Sequence, residues 1–135
     1  MSSTFAIALG SNLGDRLYTM HRAIDELRKI VHIVRVSSFL ETEPVEAPPG
    51  SPCFLNAVVI GHTSLTPLQL LDALQAIESK LGRRRTGVRN APRTIDLDLI
   101  FHSAHRARTP RLTLPHPRYR EREFVMKPLG EVWPD

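Results

Sequence analysis

The hydrophobic positions of the chain form runs whose period changes from one to the next. Residues 4–9 are a short apolar run, after which Gly10, Ser11, Asn12, Leu13, Gly14 and Asp15 turn the chain. Leu13, Leu17, Met20, Ile24, Leu27 and Val31 then recur at spacings of four and three. That period predicts an amphipathic helix of about five turns packed by one stripe, with Ser11 or Asn12 as its cap. Residues 33–42, rich in Val, Ser, Phe and Leu, read as a second strand, and residues 54–60 as a third. The stretch between them holds Pro44, Pro48, Pro49, Gly50 and Pro52. It is too long for a tight hairpin, its prolines stiffen it, and such loops often carry function.

A second helix has a clear start: Thr66 as N-cap, Pro67 at the first helical position and Gln69 three residues after the cap. Leu70, Leu71, Leu74, Ile77 and Leu81 line its apolar side, and Gly82 ends it. Beyond residues 83–93 the period returns to two. Ile95, Leu97 and Leu99 alternate with Thr94, Asp96 and Asp98, which places the apolar set on one face of a strand and both carboxylates on the other. Residues 102–110 read as a turn and 111–114 as a short returning strand, ended by Pro115 and Pro117. Residues 118–129 combine Arg118, Arg120 and Arg122 with Phe124, Val125, Met126 and Leu129, a basic surface with apolar residues available for packing.

The order βαββαβ is the split pattern of the α+β ferredoxin-like sandwich, an antiparallel sheet with two helices on one face. Asp96 and Asp98 point to the uncovered face, their Cβ atoms about 6.7 Å apart at roughly 3.3 Å per residue. Carboxylates leaning inward from that spacing could share two Mg2+ ions about 3.5 to 4 Å apart. An isolated Asp-x-Asp also suits a solvated face, where like charges repel at about 0.2 to 1 kcal/mol.

Charge changes that weighting. Arg83, Arg84, Arg85, Arg89 and Arg93 fall in about eleven residues that contain no acid. The chain has 18 basic and 14 acidic residues, so setting these five aside leaves 13 against 14: the excess positive charge stands next to the aspartates in sequence. Guanidinium clamps beside metal-binding carboxylates match a polyphosphate. RNA or another polyanion, and a purely structural charge cluster, are the alternatives. The chain's only lysines are Lys29, Lys80 and Lys127, an arginine dominance that fits phosphate recognition and equally a compositional bias. A length of 135 residues is expected to be one domain, residues 1–135. The one cysteine, Cys53, excludes an internal disulfide and points to a reducing cytoplasm. Neither a targeting segment nor a membrane-spanning stretch is evident.

ALGSNLGDR at residues 8–16, FLNAVV at 54–59, GRRR at 82–85, PRTIDLDLI at 92–100 and LPHP at 114–117, followed by Phe124, resemble the 6-hydroxymethyl-7,8-dihydropterin pyrophosphokinases of folate biosynthesis. The resemblance spans almost the whole chain and implies the same ferredoxin-like fold. It implies transfer of the β,γ-pyrophosphate of ATP to the hydroxymethyl oxygen of the pterin, with release of AMP. By the same resemblance Asp96 and Asp98 would hold two Mg2+ ions, and Arg83 and Arg93 would clamp phosphate oxygens. Phe54 and Phe124 would enclose the pterin ring and Asn56 would read its edge, an amide offering both donor and acceptor. Glu43, Pro44 and Glu46 would complete that pocket. For ATP the matching positions are Gln75, Glu78, Arg85, Arg93, Leu99, Arg111, Thr113, His116 and Arg122. The expected partners are these two small molecules, with no nucleic acid and no membrane, and the expected state is a monomer. Two positions depart from the family: Asn90 where a tryptophan is frequent and Pro117 where an aromatic is frequent. An RNA-binding domain of this architecture would need stacking aromatics on its central strands, and residues 54–60 supply one.

Overall fold

In the computed structural model, which describes residues 3–12, 14–43, 49–50, 52–82, 95–103, 107–108, 113–114 and 123–132, the strand β1 (Ser3–Ser11) runs through the interior of an antiparallel sheet. The helix α1 (Arg16–Arg28) follows, then the strands β2 (His32–Val36), β3 (Leu40–Thr42) and β4 (Phe54–Thr63). The helix α2 (Pro67–Lys80) leads to β5 (Asp96–His102), the short strands β6 (Ala107–Arg108) and β7 (Thr113–Leu114), and the helix α3 (Glu123–Val132). The sheet order is β2-β4-β1-β5, with β3 also on β4, the arrangement expected of the ferredoxin-like pattern. β6 and β7 form a separate antiparallel pair.

The core lies between the sheet and the first two helices. Phe5, Ile7 and Leu9 of β1, Ala57 and Val59 of β4, and Leu97 and Leu99 of β5 meet Met20, Ala23, Ile24 and Leu27 of α1 and Leu70, Leu74 and Ile77 of α2. Strand period and helix stripe therefore agree on one buried face. The α2 start is as the pattern predicts: Thr66 Oγ1 accepts from the Gln69 amide at 3.2 Å while Gln69 Oε1 accepts from the Thr66 amide at 2.9 Å. Gly82 follows the helix with φ +91°, a left-handed conformation open to glycine at little cost.

Four expectations are corrected. α1 is capped by Asp15, whose side chain accepts from the Tyr18 amide at 3.1 Å, while Ser11 and Asn12 are buried at the end of a strand that runs through Gly10. α1 is also shorter than five turns, and Leu17 in its first turn is 54% exposed, outside the buried stripe. The strand expected at 33–42 is two strands: at Ser37 the backbone amide still donates to Val58 O at 2.9 Å, but the Val58 amide is accepted by Ser37 Oγ, at 2.9 Å, in place of a ladder carbonyl. Finally, the second face of the sheet is not bare. Leu129 and Val132 of α3 pack on Ala6, Ala8, Val58, Ile60 and Ile100, and Glu131 accepts from the Ser38 amide and hydroxyl at 3.1 and 2.7 Å.

Two contacts set measurable limits on stability. An added Cβ on Gly61 would stand 1.9 Å from the His32 carbonyl oxygen, beside the bulge that leaves Val34 out of register with β4. Backbone cannot yield there as a side-chain tip would, so Gly61→Ala is expected to destabilise by about 3 kcal/mol or more, read by denaturant unfolding. Glu26 lies between Lys29 and Lys80, each ammonium 2.5 Å from a carboxylate oxygen, so that α1 and α2 are joined. The two ammonium hydrogen bonds, Lys29 first, pull its pKa from 4.5 down to about 2. A folded-state value below the unfolded one means stability that is present above pH 4.5 and is lost as pH falls toward 2. Glu26→Gln is expected to flatten the acid limb of a melting-temperature profile over that window.

Candidate active site

The face that carries α3 is divided in two by a bulge in β5. Ala6 is paired with Phe101 and Ile7 with Leu99, leaving Ile100 as the extra residue. Ile100 and Phe101 thus both pack with the cluster under α3, and the alternation that puts Asp96 and Asp98 on this face ends there. Along β5 the residues beyond the bulge are apolar and covered, whereas before it both aspartates are half-buried; in the row of Asp98, Ala8 and Val58 still belong to the apolar cluster under α3.

Register assembles the half that carries the aspartates. Gly10 is paired with Asn56 of β4 on one side and with Asp96 of β5 on the other, and Asn56 is paired with Leu40 of β3. Asn56, Gly10 and Asp96 therefore form one transverse row, about 10 Å from end to end at about 4.8 Å per strand. Asp98 stands one row further, opposite Ala8. Phe54 is two residues before Asn56 on the same face and opposite Thr42. Asn56 is buried, and its Nδ2 donates to Thr42 Oγ1 at 2.6 Å and to Leu40 O at 3.4 Å. Its amide nitrogen is thus committed to the protein and its Oδ1 is the atom turned toward Gly10, 3.2 Å from where a Cβ there would be.

Glu78 of α2 is buried, and its Oε2 accepts from the Leu97 amide at 2.8 Å. Leu97 lies between the two aspartates, so this carboxylate secures the backbone that carries them. Gln75 stands half-buried on α2, three positions before Glu78. The Leu99 side chain is in the core on the helix face, so only its backbone can meet a ligand at the strand edge. Glu43 is exposed just after β3. Thr113 lies in β7 and Phe124 in α3. Pro44, Glu46, Arg83, Arg85, Arg93, Arg111, His116 and Arg122, like Asn90 and Pro117, lie outside the described residues. The pattern of the sequence missed Gly10 as part of the site, since a glycine before Ser-Asn reads as a turn; its position two residues after Ala8 in β1 was the available signal. Thr42 was missed for want of any local mark, its partner Asn56 being 14 residues away.

Fold and face together define a ferredoxin-like α+β domain that carries an aromatic ring, an amide and two carboxylates on one sheet face. The description of the 7,8-dihydro-6-hydroxymethylpterin-pyrophosphokinase (HPPK) family matches residues 6–134, and the chain belongs to that family. It is 43% identical over 134 residues to the 2-amino-4-hydroxy-6-hydroxymethyldihydropteridine pyrophosphokinase of Bacillus subtilis (strain 168), covering 98% of this chain and 79% of that protein. It is 47% identical over 127 residues to the mitochondrial folate synthesis bifunctional protein of Pisum sativum, covering 93% of this chain and 24% of that protein. The chain thus spans about a quarter of the plant protein's length. Its fold is similar to a solved HPPK-DHPS in complex with substrates, with a TM-score of 0.72 at 14% identity, covering 99% of this chain and 40% of that one. No helix among the described residues is long and apolar enough to cross a membrane.

The Glu78 contact yields a prediction of its own. Glu78→Ala leaves the Leu97 amide without this acceptor, so unfolding free energy should fall by about 1 to 3 kcal/mol. The Leu97 amide should exchange with solvent faster than its neighbours in β1, measured by native-state hydrogen exchange.

Proposed function

We propose that this chain transfers the β,γ-pyrophosphate of ATP to the hydroxymethyl oxygen of 6-hydroxymethyl-7,8-dihydropterin. The hydroxyl oxygen attacks the β-phosphorus, the bond from that phosphorus to the α,β-bridging oxygen breaks, AMP departs with the bridging oxygen, and the hydroxyl proton is released. The observation that supports the reading is the row Asn56, Gly10, Asp96, which brings an amide and a carboxylate onto one face about a side-chain-free centre.

At the ring end, Phe54 offers a flat apolar surface, and Phe124 of α3 is read as its opposing ring. Asn56 Oδ1 would accept from the N–H groups of the pterin edge, held in that orientation because Nδ2 is bound to Thr42 and Leu40. Gly10 keeps the floor between the ring slot and the aspartates free of a side chain. Backbone about Glu43, Pro44 and Glu46 is read as closing the slot. At the acidic end the donors are hard oxygens, the kind Mg2+ takes, and no group of three or more His, Cys, Asp or Glu gathers among the described residues. Asp96 and Asp98 would therefore hold Mg2+ with phosphate oxygens and water completing its shell. Bound there, Mg2+ would offset the charge that develops on the phosphates.

Arg83 and Arg93 are read as the clamps that align the pyrophosphoryl group, with Gln75, Glu78, Arg85, Leu99, Arg111, Thr113, His116 and Arg122 about the nucleotide. Alignment and charge stabilisation then account for the rate without a covalent intermediate. Two acids on the open face disfavour a nucleic acid lying there. We read residues 1–135 as one domain of a cytoplasmic monomer, and light scattering would test the oligomeric state.

The deciding assay is AMP release from ATP and Mg2+ with and without the pterin. Pterin-dependent AMP with no ADP is the expected result; ADP, or AMP independent of pterin, would refute the reaction. Asp96→Ala and Asp98→Ala should each lower kcat by about a thousandfold or more, a loss of roughly 4 kcal/mol in the transition state, with circular dichroism unchanged. Gly10→Ala brings a methyl to 3.2 Å from Asn56 Oδ1 and 3.5 Å from the Phe54 ring. Its KM for the pterin should rise about tenfold while its KM for ATP holds, a difference of about 1.4 kcal/mol confined to one substrate.

A further inference from the structure

Three hydrogen bonds tie the start of α1 and the end of β1 to the ribbon made by β3 and β4. Arg16, the first residue of α1, donates through Nη1 to the Cys53 carbonyl at 2.9 Å and through Nη2 to Glu41 Oε2 at 3.1 Å. Asn12, buried just beyond β1, donates through Nδ2 to the Pro52 carbonyl at 3.2 Å. The two carbonyls so held are the last before Phe54 opens β4, and Glu41 immediately precedes Thr42 in β3. Thr42 is both the cross-strand partner of Phe54 and the hydroxyl that orients Asn56.

We propose that Arg16 and Asn12 are positioning residues for the ring-binding end of the site, acting through Cys53, Pro52 and Glu41 rather than by touching substrate. A planar guanidinium has two donors side by side, and here one grips each strand of the ribbon, so a single side chain sets the spacing between Thr42 and Phe54. β3 is only three residues long and an edge element, with few ladder bonds of its own to hold that spacing. The Cys53 contact is the stronger half, because the Glu41 side chain is 60% exposed and an exposed ion pair contributes little. The acidic end is held by other contacts: β5 is fixed by its ladder with β1 and by Glu78, and none of the three tether bonds reaches β5.

This inference rests on the pterin reading of the site, and its test has an arm that does not. Arg16→Ala should raise KM for the pterin about tenfold and leave KM for ATP within about twofold. Arg16→Lys, which can reach one partner but not both, should fall between, and Glu41→Ala should raise the pterin KM by no more than about threefold. The second arm follows the half-buried Cys53 thiol: with its carbonyl released, its rate of labelling by a disulfide reagent should rise severalfold in Arg16→Ala, ligand absent. Unchanged pterin KM in a folded Arg16→Ala, or equal rises for both substrates, overturns the positioning role. An unchanged labelling rate overturns it as well, even where turnover is lacking; failure of native protein to make AMP counts instead against the proposed reaction. If Arg16→Ala does not fold, Arg16→Lys carries both arms with the same decisive outcomes at smaller amplitude.

Discussion

The register of β1 between β4 and β5 is the constraint on which the rest of the molecule depends. Because side chains alternate along a strand, a slip of one residue would send Phe5, Ile7 and Leu9 out of the core and Gly10 out of the row it shares with Asn56 and Asp96. The same choice therefore builds the core and assembles the site. Burial of apolar side chains from β1, α1 and α2 on one face makes that choice strongly favoured, and the polar half of the other face receives its geometry from it.

The division of labour across β5 follows from one extra residue. With strict alternation the strand would place an acid or an apolar side chain on the open face at every second position. The bulge at Ile100 ends the acidic stretch and turns two successive apolar residues toward α3. A covered, apolar half-face then borders a half-exposed acidic one, and α3 anchors on the former through Leu129, Val132 and the bond from Ser38 to Glu131. Hydrogen bonds from the Ser38 hydroxyl and amide hold the Glu131 carboxyl below its ordinary pKa, so that anchor keeps its charge across the neutral range.

Features confined to a few neighbouring residues were legible in the sequence, and features made across the fold were not. The Thr66, Pro67, Gln69 start of α2 and the alternation of Asp96 and Asp98 with Leu97 and Leu99 depend on local spacing, and both are seen as read. The cap of α1 was misplaced because Ser11, Asn12 and Asp15 are all good cap residues; what separates them is that β1 extends further than its apolar run and buries the first two. Ser37 breaks the second strand by a bond to an amide 21 residues away, which no local period records. α3 on the second face escaped for a related reason: Leu129 and Val132 mark an apolar stripe but not the sheet surface that receives it. Of the candidate site, the residue types were legible from the motifs, whereas the row joining Asn56 to Asp96 through Gly10 exists only in the register.

The acids of β5 stand close in sequence to a run of arginines. Asp96 and Asp98 lie half-buried two residues apart on β5, and the buried Glu78 of α2 accepts from the Leu97 amide between them. The neighbouring strand offers no charge: β1 opposite the acids contributes Gly10 and Ala8. Residues 83–93 precede β5 and carry five arginines without an acid. The sequence thus sets five arginines shortly before a strand whose neighbour β1 supplies no charge opposite its two acids.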